Sequence, residues 1–238
     1  MSLRAWLRRI VRGRQFVRVS AATRLVVIGD SHCKFWSGDD AIFGPDRIPG
    51  VVTCHVGPAL AWNLIERSSN TRAGVKVEGI LRDLAAQSYD GWALLSFGEI
   101  DIRVHAVKHA ANSGLDLALE RLVDRYVAFI LKARSIYPRI ALWGPGATQP
   151  EGAPPNLDFP ANGSEKERND ATRMFTELLA ARARAIGVPM LSLLPMLIAE
   201  NGLTRPELLF DGCHISQQAM AEAQQLAART LGVSFEAR

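Results

Sequence analysis

The sequence predicts an α/β fold built on a parallel sheet. Three observations carry that prediction. Short, β-branched or apolar runs end in Gly or Gly-Pro. Stretches with helical spacing alternate with them. No Ser/Gly-rich or charge-rich linker divides the 238 residues. Strands that alternate with helices need crossover connections, and crossovers favour parallel pairing. A composition of 48% hydrophobic and 22% charged residues suits one large core.

The elements follow in order. Arg24–Gly29 reads as a buried first strand, and Val51–Val56 as a second, stopped by Gly57-Pro58. Pro58 suits the first turn of a helix, so a helix is expected through 59–67. Val77–Gln87 has helical spacing. Trp92–Phe97 is a third strand closed by Gly98, and Leu115–Tyr137 a long amphipathic helix ended by Pro138. Ile140–Trp143 is a fourth strand. Residues 144–163 form a loop rich in Pro and Gly; a loop of that length commonly serves a site or is mobile. A helix over Glu165–Ile186, a fifth strand over Val188–Leu193 and a final helix over Ser216–Leu231 complete the chain.

The net charge of +4 is a property of one end. Residues 1–24 hold seven Arg and no acid; elsewhere 21 basic residues face 24 acidic ones, a net charge of −3. The chain therefore divides into a basic segment, 1–23, and a domain, 24–238. The basic pI gives no case for nucleic acid. Leu3, Leu7, Ile10 and Val11 share one helical face with Arg around them. Residues 3–18 are thus a candidate amphipathic helix for peripheral contact with an anionic membrane, against the plainer reading of a solvated lead-in. No apolar run approaches the roughly 20 residues that span a bilayer. Cys33, Cys54 and Cys213 lack the spacing of a zinc site or a disulfide framework and read as reduced thiols in a cytoplasmic protein.

In parallel sheets, ligands bind beyond the carboxyl ends of the strands. Gly29-Asp30-Ser31-His32, Gly57-Pro58, Gly98–Asp101 and Gly144-Pro145 should all emerge on that edge. Ser31 follows a Gly that permits a tight turn, so its hydroxyl can enter a cleft while its N–H meets an oxyanion. The spacing of Asp211-Gly-Cys-His214 lets the carboxylate reach Nδ1–H of the imidazole and leaves Nε2 free to take a proton. The same residues also suit helix capping. Glu99, Asp101, Arg103 and His105 make a dense polar run after a buried strand, either a solvated loop with local ion pairs or a set of substrate contacts.

Val26–Ser31 and Asp211–Ser216, in that order and setting, resemble the first and last blocks of the SGNH/GDSL hydrolase family. Phe175–Ala183 and Ile186–Pro189 are similar to its penultimate helix and strand. The resemblance covers about residues 24–232. It implies a flavodoxin-like three-layer α/β/α fold with a five-stranded parallel sheet, and ester hydrolysis through an acyl-serine. It implies Ser31 as nucleophile, His214 as general base and then acid, and Asp211 as its orienter. The N–H groups of Ser31 and Gly57, with an Asn side chain from the third block, would form the oxyanion hole. No cofactor or metal is expected for this chemistry.

The third block departs from the family's Gly-x-Asn-Asp. Here it reads Gly98-Glu99-Ile100-Asp101, and Ile100 has no donor to offer. His32 and Arg103 are candidate replacement donors, and an Arg would suit an anionic substrate. His32, Glu99, Asp101 and Arg103 stand as substrate-binding candidates. Family analogy points to O-acyl groups, such as acetyl, on a carbohydrate or related small substrate. An acyltransferase and a noncatalytic glycan-binding protein of the same fold are alternatives. A metal-dependent phosphoesterase using Asp30, His32, Asp101, His105, Asp211 and His214 is a more distant one, and a nucleophilic Cys33 or Cys213 another.

Overall fold

The computed structural model describes residues 17–154 and 159–235. The expected amphipathic helix falls mainly on residues 1–16, outside the described residues. Where the basic segment enters the described part it packs on the body. Val17 is buried, its carbonyl accepts from Gln87 Nε2 at 2.8 Å, and the N–H of Val19 donates to Gln87 Oε1. Among the described residues, no helix is long and apolar enough to cross a membrane.

Five parallel strands form one sheet: β1 Leu25–Gly29, β2 Val51–His55, β3 Trp92–Ser96, β4 Ile140–Trp143 and β5 Met190–Leu191. Their spatial order is β2-β1-β3-β4-β5, with β1 central to the left half. The helices are α1 Ala73–Ala86, α2 Val107–Ser113, α3 Leu115–Ile136, α4 Glu165–Ala185, α5 Leu194–Leu197 and α6 Met220–Leu231.

Leu25, Val26, Val27 and Ile28 are all fully buried, because helices cover both faces of the sheet. Alternate side chains serve opposite layers. Val26 and Ile28 pack with α1, α3 and α4, around Leu81, Phe129 and Phe175. Leu25 and Val27 pack with Trp36, Leu194, Ala223 and Ala227 on the other side. Each such side chain contributes on the order of 1.5–3 kcal/mol by leaving water. The result is the parallel sheet that the strand and helix alternation predicts, in the three-layer α/β/α arrangement that the resemblance implies.

Several elements differ from expectation. The helix expected over 59–67 is a single 3₁₀ turn, Ala61–Asn63, whose first N–H groups, of Ala61 and Trp62, donate to the Asp101 carboxylate at 2.7 and 3.0 Å. The polar run after β3 is no solvated loop. It winds into a π-helical turn, Asp101–Ala106, that continues into α2. The fifth strand is two residues long, since β5 pairs only with Leu142 and Trp143. The last helix begins with a 3₁₀ turn, Gln217–Ala219, capped by the Ser216 hydroxyl.

The long loop is anchored over its first half. Thr148 and Gln149 are buried, and Arg168 donates to Thr148 Oγ1 at 2.9 Å and to the Gln149 carbonyl at 2.7 Å. A reciprocal Ser164–Glu167 capping box starts α4 where the loop ends. On the opposite side of the sheet, the Asp46 carboxylate accepts from the N–H of Thr53, on the edge strand β2, at 2.9 Å. Lys34 holds both Asp46 and the Thr53 hydroxyl.

Gly29 ends β1 where it runs closest to β3. A Cβ there would lie 2.3 Å from the backbone oxygen of Ser96, inside van der Waals contact. Gly29→Ala is therefore expected to cost at least about 2 kcal/mol, read as a lower urea midpoint at unchanged m-value. An unchanged midpoint would show that the strands separate freely at this point.

Candidate active site

Two polar segments far apart in sequence meet at the carboxyl edge of the sheet. The first leaves β1. Asp30 caps a 3₁₀ segment, Ser31–Ser37, by accepting the N–H of His32 at 2.9 Å, and Ser31 opens that segment. The second precedes α6. An antiparallel bridge between Leu209 and Ile215, with Phe210 N–H donating to the His214 carbonyl, folds Asp211–His214 into a tight turn. Asp40 joins the two segments, accepting from Gln217 N–H at 2.8 Å and from the Ser216 hydroxyl. Gln217 Nε2 also donates to the Phe35 carbonyl.

The meeting places Ser31 Oγ 2.8 Å from His214 Nε2, and His214 Nδ1 2.7 Å from Asp211 Oδ2. A carboxylate can only accept, so Nδ1 carries the proton, Nε2 is the acceptor, and the Ser31 hydroxyl donates to it. The other Asp211 oxygen accepts from the N–H groups of Cys213 and His214 at 2.9 and 2.8 Å. Burial raises the Asp211 carboxyl, but these hydrogen bonds outweigh it and bring the pKa to about 2. The imidazole lies between the rings of His32, centroids 4.5 Å apart, and Phe210, 5.6 Å apart. Among the described residues, no hydrogen bond engages the N–H of Ser31 or of Gly57. Gly57 has φ +97°, a backbone conformation natural to glycine.

His32, Glu99, Asp101 and Arg103 are all buried. Most of their hydrogen bonds run to one another or to the backbone, while His32 Nδ1 has no partner among the described residues. Arg103 grips Glu99 with two N–H groups, at 2.6 and 3.2 Å, and His32 Nε2 lies 3.1 Å from the other side of the same carboxylate. Arg103 also donates to the Phe159 carbonyl of the long loop, and its own carbonyl accepts from Asn162. Burial opposes ionisation of Glu99, but His32 and Arg103 outweigh it and hold the carboxyl well below its ordinary value. Arg103, its donors committed to Glu99 and Phe159, does not stand in for the donor missing at Ile100, whereas His32 keeps Nδ1 without a hydrogen-bond partner among the described residues. Glu99 and Arg103 stand four residues apart, the helical spacing at which side chains pair, and that is the signal that could have joined them.

Asp101 is committed to Ala61 and Trp62, and His105 faces a separate cavity of about 520 Å³ with Trp62, His109 and Arg121. Neither Ser31 nor His214 lines that cavity. Among the described residues, the groups with metal-ligating atoms that converge are His32, Cys213 and His214, within 4.8 Å of one another. Asp101 and His105, invoked for a phosphoesterase site, lie outside that group. An ion held there would take His214 from Ser31 or His32 from Glu99. The cysteines are poor nucleophiles as placed, because burial pushes the thiols of Cys33 and Cys213 up and that of Cys54 to about 12.

The fold is shared with solved structures named as lipolytic and esterase proteins. Among solved structures, the chain resembles a Streptococcus pneumonia protein named for platelet activating factor (18% identity, TM-score 0.53, 94% of this chain and 92% of that one). It also resembles a GDSL-like lipase from Bacteroides thetaiotaomicron (13%, TM-score 0.50, 94% and 95%) and an aryl esterase from M. smegmatis (16%, TM-score 0.50, 87% and 99%). No protein-family model and no curated protein sequence matches the chain.

Two predictions follow from the buried charges. Arg103→Ala strands Glu99 as an unpaired anion and should cost about 3–5 kcal/mol in denaturant unfolding. A loss below about 1 kcal/mol would mean that water already reaches Glu99. Asp30 is the second case. Burial foremost, then the charge of Glu99, raises its carboxyl from 3.8 to about 7 in the folded chain, against the His32 N–H bond. A carboxyl raised on folding adds stability at low pH, and that contribution is lost as pH rises towards the folded-state value. Asp30→Asn should therefore gain stability relative to wild type between about pH 4 and about pH 7. A difference that stays constant over that range would contradict the assignment.

Proposed function

We propose that the chain is a serine ester hydrolase. The observation that carries the reading is the continuous hydrogen-bonded line from Ser31 Oγ through His214 to Asp211. The hydroxyl hands its proton to Nε2 as Oγ attacks the ester carbonyl. Asp211, ionised down to about pH 2, stabilises the imidazolium that forms. The N–H groups of Ser31 and Gly57 receive the oxyanion. The imidazolium then protonates the departing alcohol, and the same base activates water against the acyl-serine. The hydrolases of similar fold support this reading.

The alcohol is proposed to be a carbohydrate or a similar polyhydroxylated molecule carrying an O-acyl group. A cavity of about 480 Å³ is lined by Pro58, which follows Gly57 in the chain, and by Leu60, Ile100, Asn63, Asn70 and Thr71. A lining that mixes apolar side chains with hydroxyl and amide groups suits a sugar ring, which has apolar faces and polar edges.

A fluorophosphonate probe is expected to label the wild type and not Ser31→Ala. Ser31→Ala and His214→Ala should each abolish turnover of p-nitrophenyl acetate. Asp211→Asn should lower it by about 10³–10⁴ with the circular dichroism spectrum unchanged. Chelation with EDTA should leave turnover as it was. Full activity in His214→Ala would rule the mechanism out.

A further inference from the structure

Ile100 leaves the proposed oxyanion hole with two backbone donors. What strengthens one of them lies on α1. Lys76, half-buried near the start of that helix, donates from Nζ to the Val56 carbonyl at 2.7 Å. Val56 C=O and Gly57 N–H belong to one peptide group. Among the described residues there is no cis peptide bond, so the two dipole ends point in opposite directions. The ammonium therefore sits behind the unit whose N–H is the second oxyanion donor. It also lies 3.8 Å from the position that a Cβ on Gly57 would take. Lys34, the other lysine near this strand, is paired with Asp46. Among the described residues Lys76 makes no ion pair, so its charge acts on the carbonyl without a carboxylate to offset it.

A cation bound to the carbonyl oxygen of an amide draws electron density away from the nitrogen, and the N–H becomes a stronger donor. The gain is small towards a neutral ester carbonyl and larger towards a full negative charge. It therefore favours the transition state over the bound substrate. We propose that Lys76 is a positioning residue that acts through the Val56–Gly57 peptide: it fixes the plane of that group and polarises its N–H towards the developing oxyanion. This compensates in part for the donor absent at Ile100. The inference rests on the serine hydrolase reading.

The experiment compares Lys76→Met, Lys76→Arg and Ser31→Ala in the full chain, with p-nitrophenyl acetate and the fluorophosphonate probe. Lys76→Met is expected to lose about ten-fold in kcat with KM held within about two-fold. The rate of fluorophosphonate labelling should fall by the same factor, because phosphonylation builds charge on an oxygen in the same hole. Lys76→Arg, which keeps the charge and a donor, should recover most of both rates, whereas Lys76→Met should retain the wild-type melting profile. Unchanged kcat in Lys76→Met overturns the proposal. So does a raised KM at unchanged kcat, which would make Lys76 a contact for an anionic group on the substrate. Wild-type turnover in Ser31→Ala brings down the serine reading itself, and is seen separately from either Lys76 result.

Discussion

Glu99 carries a negative charge into dry space beneath the serine, and the surrounding chain is arranged to keep it there. An isolated carboxylate in that place would protonate or draw in water. Arg103 prevents this with a two-pronged grip from the next turn of helix, and His32 completes the set from the neighbouring strand end. The consequences spread outward. His32 is fixed next to Ser31 and provides the flat surface against which the His214 ring lies. Arg103, through the Phe159 carbonyl and the Asn162 N–H, ties down the far end of the long loop. One ion pair thus sets the residue beside Ser31, the ring packed against His214 and the far end of the long loop.

Ionisable groups at this edge divide into two kinds. Glu99 and Asp211 are held as anions by the donors packed around them. Asp30 and Asp101 are buried with fewer or weaker donors, and both are raised to about 7 by desolvation above all. The edge therefore carries less negative charge near neutrality than its four carboxyls imply. That matters for chemistry that develops an anion, because each added negative charge near an oxyanion raises the barrier.

Much of this was legible from residues alone. The apolar runs at 25–29 and 92–96 are buried nearly throughout, and such strands announce themselves by composition, while the edge strand 51–55 is buried at only two of its five positions. The pairing of Ser31 with Asp211 and His214 was legible from the Asp-x-x-His spacing and from the resemblance of the two terminal blocks to a known family; topology alone placed only Ser31 at the edge. The inward turn of Glu99, Asp101 and Arg103 was not. Charged residues default to solvent, and only the finished packing reveals a partner for each. The cap of the short turn at Ala61–Asn63 was hidden for a related reason, since the carboxylate that supplies it stands some forty residues away. Lys76 carries no local sign of its role; the docking of its helix on the sheet, not its neighbours in sequence, brings it to Val56.

The bond from Thr53 to Asp46 has a consequence outside the catalytic cleft. A border strand exposes a row of amide groups to which any extended peptide could attach, and aggregation through such borders is a standing hazard for open sheets. At this border one of those amides is already occupied by a carboxylate of the same chain, with a lysine beside it. A foreign strand would have to displace a charged partner to gain a single hydrogen bond. The sheet is thereby finished on that flank by its own side chains, and the molecule is shielded there from growing into a fibre.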